Sequence, residues 1–286
     1  MRMIRFVLFG VVLLLIACGR NGDEKKTSIL VIDDLGRALS IPKSPHRVIS
    51  LAPSVTELLF MIGADSLLIA RTQNCDYPKE VKRLPVIVNY PYLDKEKLIQ
   101  LKPDLVITYK GMTSQDDATI LQNLNVPTYY LSFSTLEDWA SGVKELSKLL
   151  HTNFDTLKFD QRFPVTLEKE PAKKVVALCG VEPLYAFGKE TIINDLIKKA
   201  GGINAITQDF EDSFPMLNRE YLLATDPDLL ITTFNPPNQL FNLYPSLKRM
   251  KVYQTNQIYA VDTDLMSRPG SRVLECFKKL SNIIEN

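Results

Sequence analysis

Apolar positions along this chain fall into two kinds of run. HRVISLA (46–52) is a continuous β-rich stretch. Pro53 interrupts it, and SVTELLFMIGA (54–64) follows with helical spacing. Ser54 stands three residues before Glu57, the capping-box spacing of a helix start, and Gly63 closes the helix. DSLLIARTQ (65–73) supplies another short strand. Asp94 to Lys102 fits a short helix with Leu98 and Leu101 on one face. Pro103 ends it, because proline lacks an N–H and disfavours helical geometry in the residue before it, and LVITY then reads as a buried strand. DATILQNLNVPTYYLS is again helix, turn and strand.

The second half repeats this order. KKVVALCG (173–180) predicts a strand, TIINDLIKKAGG (191–202) a helix stopped by two glycines, QIYAVD (257–262) a strand and SRVLECFKKLSNII (271–284) the closing helix. One phrase is written twice: EKLIQLKPDLVIT (96–108) and EYLLATDPDLLIT (220–232) agree at seven of thirteen positions. Alternating strands and helices of this length predict an α/β protein of two lobes, each a parallel sheet flanked by helices, with the doubled phrase in the same slot of both. The boundaries are 29–134 for the first lobe and 172–286 for the second. Between them, 135–171 keeps Trp139, Val143, Leu146, Leu149 and Leu150 at helical spacing with no strand pattern, so one long helix bridging the lobes is expected, kinked or ended at Pro164.

With 286 residues, 45% hydrophobic and 23% charged, the chain has material for one large or two medium domains. A net charge of +1 and no long basic run argue against nucleic acid as a partner. At the N-terminus, Arg2 and Arg5 precede twelve apolar residues, Phe6 to Ala17, and then Cys18. As a helix these span only about 18 Å, short of the ~30 Å hydrocarbon core, which marks an export signal and not a membrane span. Leu15-Ile16-Ala17-Cys18 resembles the lipobox of bacterial lipoprotein signals, in which the chain is cut before a cysteine that then carries lipid. Residues 1–17 are thus expected to be removed, Cys18 lipidated, and 18–28 to form a polar tether. Cys75, Cys179 and Cys276 remain, an odd set without CxxC spacing, so no disulfide framework is expected, while a single pair stays open.

These features together, with RVISLAPSVTELLFMIGA, LKPDLVITYKG and GKETIINDLIKKAGGINAI in that order, resemble the substrate-binding lipoproteins of ABC importers for iron-siderophores, haem and cobalamin. The resemblance covers essentially residues 46–284 and in pattern and spacing is closest to the cobalamin-binding members. It implies a class III periplasmic binding protein with a helical backbone, monomeric and held to a bacterial membrane by lipid on Cys18. The implied role is to capture a metal chelate between the lobes and deliver it to a permease dimer with its ATPase subunits. The ligand it implies is a cobalt corrinoid, with a ferric siderophore or haem as alternative and no covalent cofactor.

Carried over position by position, the ligand-stacking aromatics match Tyr90 and Phe214, with Tyr109 and Tyr185 as weaker matches; each also has ordinary packing as an alternative. A flat aromatic face suits a large macrocycle because it buries apolar area while losing few rotamers. Asp264 and Arg268 match an Asp/Arg pair at the cleft, the alternative being a structural salt bridge. Asn74 stands where cobalamin members can have an aromatic. Glu96 and Glu220, which open the two copies of the doubled phrase, match surface glutamates that meet permease arginines; helix-dipole stabilisation is the simpler role. With only His46 and His151, a three-histidine site for bare zinc or manganese cannot be built. A chelatase-like enzyme is the other class of reading, but GxSxG, GxGxxG, GKS/GKT and clustered cysteines are all missing from the sequence.

Overall fold

The computed structural model describes residues 28–155, 171–206, 210 and 212–286. The signal, Cys18 and most of the tether therefore lie outside the described residues. The first element is one that sequence periodicity did not announce: an antiparallel hairpin of β1 (Ser28–Ile32) and β2 (Ala38–Pro42). Its turn is tied to the edge of the first sheet. Asp34 N donates to Tyr130 O, and Arg37 Nη2 donates to Thr128 O while lying 4.2 Å over the Tyr130 ring.

The first lobe is a five-stranded parallel sheet in the order β5-β4-β3-β6-β7, built from β3 (Val48–Ser50), β4 (Leu68–Thr72), β5 (Val86–Ile87), β6 (Leu105–Tyr109) and β7 (Thr128–Leu131). Every residue of β3 and β7 is buried, the pattern of strands covered on both faces. The covering helices are α1 (Pro53–Met61), α2 (Lys95–Leu101) and α3 (Gln115–Asn123), and α4 (Leu136–Leu149) leads out.

In the second lobe, β8 (Lys174–Val181), β12 (Leu229–Thr232) and β13 (Ile258–Ala260) pair in parallel as expected, and β10 (Ile203–Asn204), a strand the sequence did not announce, pairs in parallel with β8. This sheet is extended by two antiparallel strands, β9 (Leu184–Ala186) and β11 (Met216–Leu217), which the alternating pattern did not reveal because they are too short to carry one. Its helices are α5 (Ile192–Lys199), α6 (Arg219–Thr225), α7 (Gln239–Leu243), α8 (Lys251–Gln254), α9 (Thr263–Ser267) and α10 (Val273–Glu285).

The doubled phrase occupies α2-β6 and α6-β12, and its two copies share bonds as well as letters. Asp94 and Asn218 cap the helices, accepting from Lys97 N at 2.9 Å and Tyr221 N at 2.7 Å. Each helix ends on a left-handed residue, Lys102 (φ 47°) and Asp226 (φ 35°), and then meets its proline. The next aspartate clips that end to the first strand of its lobe. Asp104 accepts from Arg47 N at 3.0 Å and donates its own N–H to Arg47 O at 3.0 Å. Asp228 accepts from Lys174 N at 2.9 Å and donates to Lys174 O at 2.8 Å.

Two local expectations are corrected. Ser54 and Glu57 do not form a capping box: α1 starts at Pro53 with Ala52 before it and has no side-chain cap. Proline at the first position needs no partner for a missing N–H, and the Glu57 carboxylate goes to a guanidinium instead. The interlobe stretch does not continue as an unbroken helix from 135. α4, with its Thr135/Asp138 capping box, stops at Leu149, and His151 then takes φ 53°, outside helical geometry. Residues 156–170, including Pro164, lie outside the described residues.

α4 nonetheless reaches both lobes. Its buried stripe of Leu136, Trp139, Val143, Leu146 and Leu149 joins one hydrophobic core that includes Leu59 and Ile107 of the first lobe and Ile193, Ile231 and Leu280 of the second. Trp139 is completely buried, and its Nε1 donates to Pro269 O at 3.1 Å. Leu136 N donates to Asp195 Oδ2 on α5 at 2.8 Å. We expect Trp139→Ala to lower unfolding stability by about 3–5 kcal/mol, since it empties a large site shared by both lobes. A urea titration checks this, and a loss below about 1 kcal/mol contradicts the shared core.

Candidate functional site

Ligands of open α/β sheets bind at the loops that follow the carboxyl ends of the parallel strands. Contacts across the seam between the lobes locate the site. Arg268, after α9, extends its fork to two carboxylates: Nη1 donates to Asp76 Oδ1 at 2.7 Å and Nη2 meets Asp264 Oδ1 at 2.8 Å. Asp76 belongs to the loop after β4, so this pair links strand-end loops of opposite lobes. Asp264 and Arg268 are thus brought together as an ion pair, which suits both a cleft pair and a structural salt bridge.

Below them lies a second cross-lobe pair. Arg272 at the start of α10 donates through Nη2 to Glu57 Oε1 at 2.8 Å and through Nε to Oε2 at 3.3 Å, and Ser271 Oγ donates to Oε2 at 3.1 Å. The Glu57 side chain is buried, and the Arg272 guanidinium lies 4.5 Å from the centre of the Tyr77 ring. Burial opposes the charge on Arg272, but the Glu57 hydrogen bond and charge prevail and hold its pKa above the ordinary arginine value. Gly270 is required here: a Cβ would sit 2.6 Å from Glu57 Oε2 and 2.9 Å from its Cβ. Asp76, Tyr77 and Arg272 were not singled out from sequence, and Glu57 was read only as a helix-cap residue. Their partners stand about two hundred positions away, and Glu57 was disguised by its capping-box spacing.

Loops of both lobes also leave large apolar side chains open. Tyr90 is 78% exposed and Tyr92 75%, with Phe214 at 52%. At that exposure Tyr90 is not part of the packed core. Phe214 rests edge-on against buried Phe187, and exposed Tyr185 on β9 pairs with Met216 on β11. Asn74 is exposed, two residues before Asp76. Tyr109 is placed differently: its hydroxyl donates to Phe133 O at 3.0 Å and accepts from Phe133 N at 3.1 Å. It is tied into the junction between β7 and α4 and presents no free hydroxyl. Cys75, Cys179 and Cys276 are free thiols.

Glu96 and Glu220 occupy the first turns of α2 and α6. Each helix follows a strand-end loop or the rim strand β11 and runs back towards the amino end of the next strand, so both glutamates lie towards the cleft end of their lobes. Both are exposed. Glu96 is flanked by Lys95 and Lys97, and Glu220 accepts from Arg219 Nε at 2.7 Å. That hydrogen bond holds the Glu220 carboxyl below its ordinary pKa.

A hollow of about 750 Å³ lined by Met61, Gly63, Leu67, Leu150 and His151 lies at the far end of the first lobe. It collects helix ends and not strand-end loops, and it abuts residue 155, where the described segment stops. Among the described residues no helix is long and apolar enough to cross a membrane, and no group of three or more His, Cys, Asp or Glu is arranged to hold a metal ion.

A family model described as periplasmic binding protein matches residues 48–265, three quarters of the chain and all of the cleft-forming strands. This chain belongs to that family. Among curated proteins, this periplasmic binding protein is 26% identical to an uncharacterized ABC transporter substrate-binding lipoprotein, YvrC, of Bacillus subtilis, over 95% of this chain and 93% of that one. It is also 26% identical to a vitamin B12-binding protein of Vibrio parahaemolyticus, over 87% and 93%. The periplasmic heme-binding protein HutB of Vibrio cholerae shares its fold, with a TM-score of 0.72 at 20% identity over 84% of this chain and 99% of that one.

The Asp76–Arg268 bridge carries a pH signature. Hydrogen bonding to Arg268 holds the Asp76 carboxyl below its ordinary pKa of 3.8. A depressed carboxyl pKa contributes stability that is fully present above the unfolded value and is lost as pH falls through the folded one. Both carboxyl and guanidinium reach solvent, so at neutral pH Asp76→Asn should cost at most about 1 kcal/mol. The gap between the urea midpoints of wild type and Asp76→Asn should close between about pH 5 and about pH 3. A gap that stays constant over that range contradicts the bridge.

Proposed function

We propose that this protein captures cobalamin or a related cobalt corrinoid in the interlobe cleft and hands it to an ABC permease dimer with its ATPase subunits. The observation that carries the reading is the set of open aromatic faces on both lobes: Tyr90 on the first, Phe214 and Tyr185 on the second. A large flat macrocycle held between two lobes gains most from such surfaces, because each ring is rigid and buries broad apolar area. Kinship with a vitamin B12-binding protein supports corrinoid as the ligand. A tyrosinate-ligated iron or haem site is disfavoured at Tyr109, whose hydroxyl is already engaged by Phe133.

In this reading residues 1–17 direct export, Cys18 carries the lipid, and 18–28 tether a monomeric two-lobed body, 29–134 and 172–286 with 135–171 between, to the outer face of a bacterial membrane. Glu96 and Glu220 dock on basic residues of the two permease subunits. Equivalent helix starts on two lobes present matched charges to a two-fold partner, which favours one orientation and speeds encounter.

Three measurements test this. Calorimetric titration of the chain lacking residues 1–17 should show saturable binding of cyanocobalamin; saturable binding of haem or a ferric siderophore instead replaces the corrinoid while keeping the chelate carrier, and binding of none removes it. Glu96→Ala combined with Glu220→Ala should leave ligand affinity as in wild type and lower uptake by at least about tenfold; unchanged uptake and permease affinity remove the docking role. Cys18→Ser should move the protein from the membrane to the soluble extracytoplasmic fraction, and continued membrane association contradicts lipidation.

A further inference from the structure

The hairpin that precedes the first lobe is aliphatic on both faces. Ile29 and Val31 of β1, with Leu39 of β2, pack on the core, whereas Leu30 and Ile32 alternate to the outer face and stay 76% and 68% exposed. Leu35 in the turn is 40% exposed. Across the strands Leu30 faces Ser40 and Ile32 faces Ala38, so this outer face carries no charged side chain. An antiparallel pair with one solvated face ordinarily puts polar residues there. Two further observations locate the face. The turn is fastened at the carboxyl end of β7, where Asp33 Oδ2 accepts from Tyr130 N at 3.3 Å and Asp34 Oδ2 from Ser132 N at 2.9 Å. β7 runs parallel to β6, so Ile32 and Leu35 lie towards the strand-end loops of the first lobe, the end to which Glu96 is also carried. The hairpin is also the first folded element after Cys18. Only ten residue steps separate Cys18 from Ser28, at most about 35 Å when fully extended. A compact body of about 260 residues is roughly 45 Å across, so a lipid on Cys18 keeps this hairpin among the parts closest to the bilayer.

We propose that the outer face of the hairpin, Leu30, Ile32 and Leu35, rests on the lipid surface and is a second, non-covalent membrane contact of this protein. The proposal rests on the anchored-carrier reading above and goes beyond it, since it gives the anchored body a preferred orientation. A second copy of the chain suits the face poorly. Two five-residue strands offer roughly 17 Å by 10 Å, far below the ~800 Å² per partner of a stable protein interface. A bilayer needs no matched surface: aliphatic side chains enter the boundary between headgroups and acyl chains one by one. Such a contact is too small to hold a free protein, but a tether of this length raises the local concentration of lipid enough for a weak patch to stay engaged. With the hairpin down, the strand-end loops of the first lobe and Glu96 are presented towards the membrane in which a permease sits.

The test couples the chain lacking residues 1–17 through the Cys18 thiol to phosphatidylcholine vesicles that carry a maleimide headgroup lipid. A Cys179→Ser background keeps the coupling specific, because Cys75 and Cys276 are buried. Leu30→Trp places an indole on the outer face, and its emission is compared in vesicles with and without bromine on the acyl chains; Trp139 is fully buried and serves as the internal reference. Bromine should remove at least about half of the emission that Leu30→Trp adds, since side chains at such a contact reach ~5–10 Å into the headgroup boundary. Adding Ile32→Thr and Leu35→Ser should abolish that quenching, with an unchanged urea midpoint because threonine keeps the strand preference and all three positions are exposed. Emission that bromine leaves untouched overturns the lipid contact. A blue shift that grows with protein concentration in the absence of vesicles assigns the face to a second copy, and a blue shift already present in the dilute, vesicle-free chain assigns it to another segment of this chain; either result overturns the proposal. The coupling here is chemical, so its failure leaves lipidation of Cys18 untouched, and the fractionation of Cys18→Ser decides that reading separately.

Discussion

The contact on which the cleft depends is the buried pairing of Glu57 with Arg272 across the two lobes. Placing a carboxylate in the interior costs several kcal/mol in desolvation unless donors surround it. Here three do: two nitrogens of Arg272 and the hydroxyl of Ser271, all from the opposite lobe. Removing either partner would leave a charge without compensation, so the lobes are held where those donors reach. Gly270 lets the loop pass close enough, and Trp139 closes the same seam with a hydrogen bond to the adjacent Pro269. Because the hydrophobic core is also continuous from one lobe to the other, their relative motion is expected to be small, and the strand-end loops face each other over a nearly fixed gap.

That rigidity divides the labour in the structure. The scaffold is built from repeated local devices, most plainly the two copies of the doubled phrase. In each, a polar cap starts a short helix, a left-handed residue and a proline end it, and an aspartate clips the end to the first strand of its own lobe. The same unit carries an exposed glutamate to the cleft end of both lobes. A duplicated folding solution thus brings with it a duplicated surface charge, the arrangement a two-fold partner can read. The groups proposed to meet the ligand, by contrast, occur once: Tyr90, Phe214, Tyr185 and the Asp264–Arg268 pair. A fold shared with a heme-binding protein does not choose between chelates.

What the sequence determined alone was whatever neighbouring residues encode. Buried strands, amphipathic helices, the stop at Gly63 and the Pro103 and Pro227 breaks follow from periodicity and backbone chemistry within a few positions. The Asp264–Arg268 pair was readable for the same reason, lying one helical turn apart. Tertiary structure decided which side chains meet across long separations. It gave Glu57 to Arg272 instead of to a helix cap, brought Asp76 to Arg268, tied the Tyr109 hydroxyl to Phe133, and left Tyr90 open to solvent. It also ended α4 at Leu149, though the apolar spacing runs on to Leu150, because His151 turns into left-handed geometry. The physical reason is common to all of these: a carboxylate or hydroxyl takes the strongest donor or acceptor that packing brings within reach, and its identity depends on the path of the whole chain.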